Sequence, residues 1–230
     1  MDAEALATLR ERVIRCTRCP RLVAFRQEVA EKKKRAFEDW VYWGRPVPGF
    51  GNPGAELVIV GLAPAAHGGN RTGRIFTGDP SAAFLMRGLH EVGFASQPTS
   101  ESREDGLRLH NAYMTAAVRC VPPENRPVAE EVQNCASYLQ EELDILGPRA
   151  ILALGHLAFN ATTRFLERWF GVRRVQLKFR HGGVYEFKSG MPVLFASYHP
   201  SPRNTNTGLL SRESFRGVLQ AVRAFLETPA

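Results

Sequence analysis

Glu56-Leu57-Val58-Ile59-Val60 runs directly into Gly61-Leu62-Ala63-Pro64-Ala65-Ala66-His67-Gly68-Gly69-Asn70-Arg71-Thr72-Gly73-Arg74-Ile75-Phe76-Thr77-Gly78-Asp79, and a helix-like segment from Ser81 to Val92 follows. An apolar run of strand length, then a long glycine-rich loop, then a helix is the pattern of a strand-to-helix connection in an open parallel sheet. Ligands bind there outside the carboxyl ends of the strands, where glycine lets the backbone come close and helix N-termini offer free N–H groups. Chemistry is therefore expected in this loop.

Three further apolar runs repeat the pattern: Ala112 to Val118, Ala150 to Leu154 and Val193 to Ser197. Helix-like segments separate or follow them, from Ala129 to Leu146, His156 to Phe170 and Ser211 to Leu226. Strands alternating with helices predict an α/β fold, a three-layer α/β/α sandwich around a central, mainly parallel four-stranded sheet. Ahead of it, residues 2–14 have helical apolar spacing, and a basic helix is expected from about Leu22 to Ala36, carrying Lys32-Lys33-Lys34-Arg35. Tyr42 to Gly54 is too rich in Pro and Gly for a regular element. Ala95 to Asp105 is expected to be a mobile polar loop, and Val175 to Phe187 a small hairpin around Gly182-Gly183.

With 230 residues and 44% hydrophobic composition, the chain can bury one substantial core, so a single domain over residues 1–230 is expected. An excess of 30 Lys+Arg over 23 Asp+Glu, a formal charge of +7, suits a polyanionic partner. There is no apolar stretch of the ~20 residues that a membrane helix needs, and residues 1–15 lack the layout of a secretory signal. A cytoplasmic location and a monomeric state are expected. Four cysteines in such a chain favour thiols or metal ligands over disulfides. Cys16 and Cys19 form a CxxC pair that can turn two thiolates toward one centre. Cys120 and Cys135 follow at the end of an expected strand and on the next helix. The spacing leaves zinc and iron-sulfur both open, and also leaves open that only the CxxC pair is functional.

Three motifs occur together. They are Gly61-Leu62-Ala63-Pro64-Ala65 with Thr72-Gly73-Arg74-Ile75-Phe76-Thr77-Gly78-Asp79, Tyr113-Met114-Thr115-Ala116-Ala117-Val118-Arg119-Cys120-Val121-Pro122-Pro123-Glu124-Asn125, and Ser197-Tyr198-His199-Pro200-Ser201 with Arg203-Asn204-Thr205-Asn206-Thr207-Gly208. Together they resemble the family 5 (type B) uracil-DNA glycosylases of the uracil-DNA glycosylase superfamily, over nearly the whole chain. The resemblance implies a DNA-repair enzyme that flips a damaged base out of DNA and hydrolyses its N-glycosidic bond, leaving an abasic site. It also implies a 4Fe-4S cluster held by Cys16, Cys19, Cys120 and Cys135, tying the N-terminal helices of residues 1–36 to the sheet.

The resemblance assigns Phe76 to stacking on the flipped base, where the sequence alone favours a plug in the core beneath the loop. It points to Asp79 as the residue that orients the hydrolytic water, beside the helix N-cap role that Asp-Pro-Ser suggests. Other branches of the superfamily carry an acid at Leu62 or Ala63. Here only the backbone N–H groups of those residues can serve, facing the base or the water. Sister branches carry an amide at Ala116 that reads the base edge, so alanine predicts a broader pocket accepting uracil and other deaminated or oxidised bases, hypoxanthine and 5-hydroxymethyluracil among them. Asn125 is the candidate polar replacement, with a plain turn residue as the alternative.

His199, at the end of the last strand, is expected beside the first loop, donating to O2 of the departing base. Arg203, with Asn204, is expected along the DNA on a polar loop from Ser201 to Gly208, and Arg71, Arg74 and Arg119 are further phosphate candidates. No lysine lies in the motif cores, which predicts a glycosylase without lyase activity.

Two rivals use the same residues. A non-enzymatic nucleic-acid-binding protein with a structural zinc site accounts for the charge and the cysteines but leaves the long loop, Asp79 and His199 unexplained. An enzyme of free mononucleotides would use Gly68 to Gly73 for phosphate, yet that stretch lacks the Gly-Lys-Ser/Thr ending of a P-loop.

Overall fold

The computed structural model describes residues 3–228. Its elements in chain order are α1 (Ala3–Ile14), α2 (Pro20–Lys32), β1 (Phe50–Gly51), β2 (Leu57–Gly61), α3 (Gly69–Thr72), α4 (Pro80–Glu91), β3 (Ala112–Ala116), α5 (Ala129–Leu146), β4 (Ala150–Leu154), α6 (His156–Phe170), β5 (Gly183–Tyr185), β6 (Val193–Ser197), α7 (Pro202–Thr205) and α8 (Arg212–Glu227). Asp2, where the first helix was expected to begin, lies outside the described residues.

β3, β2, β4 and β6 are parallel neighbours, and every residue in them is buried. A sheet covered on both faces needs apolar side chains on both, which is why these strands read as continuous apolar runs without alternation. The pleat divides their side chains. Leu57, Ile59, Met114, Leu152 and Phe195 face α4 and α8, whereas Val58, Val60, Tyr113, Ile151 and Leu194 face α1, α5 and α6. The three-layer sandwich is thus present, but its sheet has six strands instead of four, in the order β1-β3-β2-β4-β6-β5. Both additions are short antiparallel edges, β1 on β3 and β5 on β6. Elements of two and three residues are too short to carry a periodic signal.

Other expectations need correcting. The basic helix begins at Pro20, whose fixed φ suits the first helical position, and ends at Lys32. Lys33 then turns to φ 51°, and Arg35–Phe37 forms a separate 3₁₀ turn. The strand expected from Ala112 to Val118 stops at Ala116 because its partner β2 ends at Gly61, although Ala117 and Val118 still donate to the Gly61 and Leu62 carbonyls at 2.9 and 3.0 Å. The Val175 to Phe187 hairpin does not form, since β5 takes β6 as its partner. Far from loose, the Ala95 to Asp105 segment is fastened: Ala95 bridges Leu109, Ser100 is buried, and Asp105 accepts from Arg74 at 2.6 and 2.9 Å. The Ser201 to Gly208 loop contains the short helix α7. Among the described residues, no helix is long and apolar enough to cross a membrane.

Candidate active site

The carboxyl ends of the parallel strands gather the motif residues. Gly61 and Ala116 are register partners at the ends of β2 and β3. Ser197 pairs with Leu154, its carbonyl accepts from Gly155 N–H at 2.8 Å, and His199 follows two residues later. Phe76 lies between these strand ends. A Cβ at Gly61 would come within 2.5 Å of Phe76 Cζ, so the absence of a side chain there lets the ring lie on the strand end. On its other side the ring centroid is 6.2 Å from that of His199. Phe76 holds φ 48°, a left-handed conformation that costs energy for a non-glycine residue and clusters at functional sites. It is 7% exposed and packs on the core.

Asp79 does what its Asp-Pro-Ser context suggests and leaves something over. Oδ1 accepts from the N–H groups of Ser81 and Ala82 at 2.9 and 3.1 Å, capping α4. Oδ2 faces Gly68, where a Cβ would lie 2.2 Å away. Burial raises the Asp79 pKa, while the two backbone N–H groups and the Arg71 cation pull it back down. Burial lowers the His199 pKa from 6.5 to about 4, so its imidazole is neutral at ordinary pH. Neither ring nitrogen of His199 takes a hydrogen-bond partner from the described residues, and Asn204 Nδ2 holds its carbonyl at 2.8 Å. A neutral imidazole keeps one N–H to donate and needs no countercharge.

Leu62 and Ala63 are half-buried at the start of the loop, and Ala63 packs against Leu22, Val118, Cys120 and Cys135. Ala116 is 2% exposed. Arg203 is exposed, with no side-chain partner among the described residues, as a DNA contact requires. Leu209, 52% exposed beside it, went unread because an isolated leucine in a polar loop has no periodic context.

The structure does not bring every candidate to this edge. Asn125 is exposed on the 3₁₀ turn Pro123–Asn125 at φ 57°, and its side chain makes no hydrogen bond among the described residues. The phosphate role expected of Arg74 needs correcting: the side chain is 3% exposed and fully engaged by Thr77, Ser100 and Asp105. Burial alone would raise the Asp105 carboxyl, but Arg74 and backbone N–H groups outweigh it and bring the pKa down to about 2. Arg119 is buried too, ion-paired with Glu142, which also accepts from Tyr113 and Thr115. Arg71 is likewise 3% exposed. These three arginines brace the scaffold, and none presents an exposed guanidinium to a phosphate.

The four cysteines converge. Cys16 follows α1, Cys19 caps α2, Cys120 follows β3 and Cys135 lies on α5. All four are free thiols, close enough that neighbouring cysteines add to the raised pKa of Cys19, Cys120 and Cys135. Burial pushes Cys120 up to about 12 and Cys135 to about 11. Among the described residues no group of three or more His, Cys, Asp or Glu draws in closely enough for one metal ion. Arg26 Nη1 donates to Cys120 Sγ at 3.0 Å, and the Arg119 cation acts on Cys135. Arg26 Nε and Arg119 Nε and Nη1 are buried donors with no acceptor in the chain. Unpaired buried donors on two cations beside four spread thiols fit an anionic, thiolate-bound group larger than a single ion.

Residues 48–223 match the family model described as the Uracil DNA glycosylase superfamily. The chain belongs to that superfamily. It is 50% identical over 213 residues to the type-5 uracil-DNA glycosylase of Pyrobaculum aerophilum, covering 93% of this chain and 90% of that one. It is 49% identical over 224 residues to the type-5 enzyme of Thermus thermophilus, covering 97% and 98%. A type-4 uracil-DNA glycosylase of Archaeoglobus fulgidus is 35% identical over 159 residues, covering 67% of this chain and 70% of that one. The match spans the strand ends that carry Gly61, Phe76, Asp79, Ala116 and His199, and supports the glycosylase over both rivals.

Proposed function

We propose that the protein is a uracil-DNA glycosylase, a base-excision-repair hydrolase that flips uracil out of DNA and cleaves its N-glycosidic bond to leave an abasic site. The observation that carries this is the Phe76 ring lying on Gly61 and 6.2 Å from the His199 ring at the carboxyl edge of the parallel sheet, three residues ahead of Asp79, in a chain of this superfamily.

The flipped base stacks on Phe76 above Gly61. The neutral His199 imidazole donates to O2 as charge develops on the departing base. Asp79 keeps Oδ1 on the helix cap and uses Oδ2 to orient the attacking water, with the backbone N–H groups of Leu62 and Ala63 beside it. Because Ala116 offers the base edge no hydrogen bond, the pocket accepts uracil and also hypoxanthine and 5-hydroxymethyluracil. Asn125 supplies a polar contact only after its exposed turn closes over the base. Arg203 and Asn204 lie along the strand, and Leu209 enters the space the base has left. Cys16, Cys19, Cys120 and Cys135 hold a 4Fe-4S cluster in a structural role, with Arg26 and Arg119 balancing its charge. The enzyme acts as a monomer in the cytoplasm, without lyase activity.

The test is excision from single-stranded and duplex oligonucleotides carrying uracil, hypoxanthine or 5-hydroxymethyluracil, with abasic sites revealed by alkali. Uracil release with strands intact until alkali is added is the expected result. No release from any substrate by the cluster-loaded protein would overturn the proposal, and breaks before alkali would overturn its monofunctional part.

A further inference from the structure

Arg71 is buried against two aromatic rings, its guanidinium carbon 3.9 Å from the Phe37 centroid and 4.0 Å from that of Trp40. Its Nε donates to the His67 carbonyl at 2.7 Å and its Nη2 to the Gly78 carbonyl at 3.0 Å. Those carbonyls belong to the residues immediately before Gly68 and Asp79, the two whose close approach forms the slot for Asp79 Oδ2. One planar cation thus ties together both walls of that slot, and two rings set at 82° to each other pack against it. A fork of donors in a fixed plane can hold two carbonyls at a set separation, which a point charge on a flexible stem cannot.

We infer that Arg71 is the positioning residue of the site: clamped by Phe37 and Trp40, it sets the slot between Gly68 and Asp79 so that Asp79 meets the water in one orientation and as the carboxylate. This rests on the role proposed above for Asp79. The charged surroundings agree with it. Arg71 is the cation acting on Asp79 from the loop, and the Ser81 and Ala82 N–H groups act from α4. Tyr42 and Glu101 face Arg71 itself. His67 is held toward its neutral form by burial and by Lys34 and Arg71, and its Nδ1 is 3.0 Å from the Tyr42 hydroxyl, so it adds no second cation to the slot.

The experiment measures single-turnover excision of uracil across pH, with saturating DNA, for Arg71→Met, Arg71→Lys, Trp40→Leu, Asp79→Asn and the Arg71→Met/Asp79→Asn double variant, alongside affinity for DNA bearing a non-cleavable uracil analogue. Arg71→Met is expected to slow excision about 10²-fold and to move the acid limb of the profile to higher pH, leaving DNA affinity within about twofold. Arg71→Lys should restore the limb, because the charge returns, and only part of the rate. In the Asp79→Asn background the Arg71 change should cost less than about threefold, because both act through one group.

A full second loss in the double variant would overturn the inference while leaving Asp79 its role. So would weakened DNA binding with an unchanged saturated rate, which would return Arg71 to phosphate contact. An Asp79→Asn enzyme at full rate would remove the role of Asp79 itself, and the inference with it. If Arg71→Met does not fold, Trp40→Leu still decides: it keeps the arginine and loosens one wall of its clamp, so a smaller limb shift in the same direction is expected, and no shift counts against the clamp.

Discussion

The cysteine corner and the base pocket are both buried and meet at Ala63, yet they arrange charge in opposite ways. At the corner two arginines bring cationic donors to the thiols, and three of their buried nitrogens have no acceptor in the chain. The pocket has an aromatic ring, an alanine, a neutral histidine and one carboxylate, already half used as a cap and matched by the single Arg71 cation. Cationic donors left without an acceptor suit a permanent anionic guest. A nearly neutral pocket with one acid and one free donor suits a guest that gains charge only while it reacts. On the proposed function, the difference teaches that the corner is built to hold and the pocket to react.

The largest expected effect separates them directly. Replacing His199 by Ala should lower single-turnover excision by ~10² to 10³-fold while leaving DNA affinity and thermal stability close to the parent. Unchanged excision would mean that the donor to the departing base lies elsewhere, and the contrast would fail on the pocket side. Replacing Cys135 by Ser attacks the other side. It should remove iron and visible absorption and lower the melting temperature by on the order of 10 °C. The saturated rate per folded molecule should stay within about threefold. A collapse of that rate with the melting temperature preserved would assign the corner to the chemistry.

A smaller effect sharpens the account of the pocket. Ala116 is buried at the end of β3, in register with Gly61. An amide at this point can read a base edge, so Ala116→Asn should raise the preference for uracil over hypoxanthine by about tenfold, chiefly by loss of hypoxanthine excision. Equal excision of both bases in parent and variant would show that breadth is set by other residues.

Much of this arrangement was legible in the sequence, and what was missed has a physical pattern. The parallel core and its layers followed from buried apolar runs separated by helices, because two-faced burial leaves its mark on every strand residue. Asp79 stands at a helix start and His199 just past a strand end, where capping residues and glycine punctuate the chain, whereas Phe76, in mid-loop, was singled out by the family resemblance. The arginines were misread for a definite reason. Whether Arg71, Arg74 or Arg119 faces solvent depends on Trp40, Asp105 and Glu142, partners that are 31, 31 and 23 positions away. Local spacing carries no trace of such pairings. β1 and β5 were missed because edge strands of two and three residues borrow their order from β3 and β6.

The finest expected effect concerns stability alone. His199 binds a proton in the unfolded chain near pH 6.5, but in the fold only near pH 4. Between those values the unfolded state holds more protons, so stability from this group is fully present above 6.5 and is lost as pH falls toward 4. Burial shifts His67 and His181 in the same direction, whereas the raised Asp79 contributes with the opposite sign. Urea unfolding of the His199→Gln variant across this range should therefore show a shallower rise of stability with pH than the parent. His67 and His181 should keep the remaining slope. Parallel curves for the two proteins would mean that His199 is hydrated enough in the fold to take its proton near the ordinary pH, and the neutral donor on which the pocket's contrast with the cysteine corner rests would be lost.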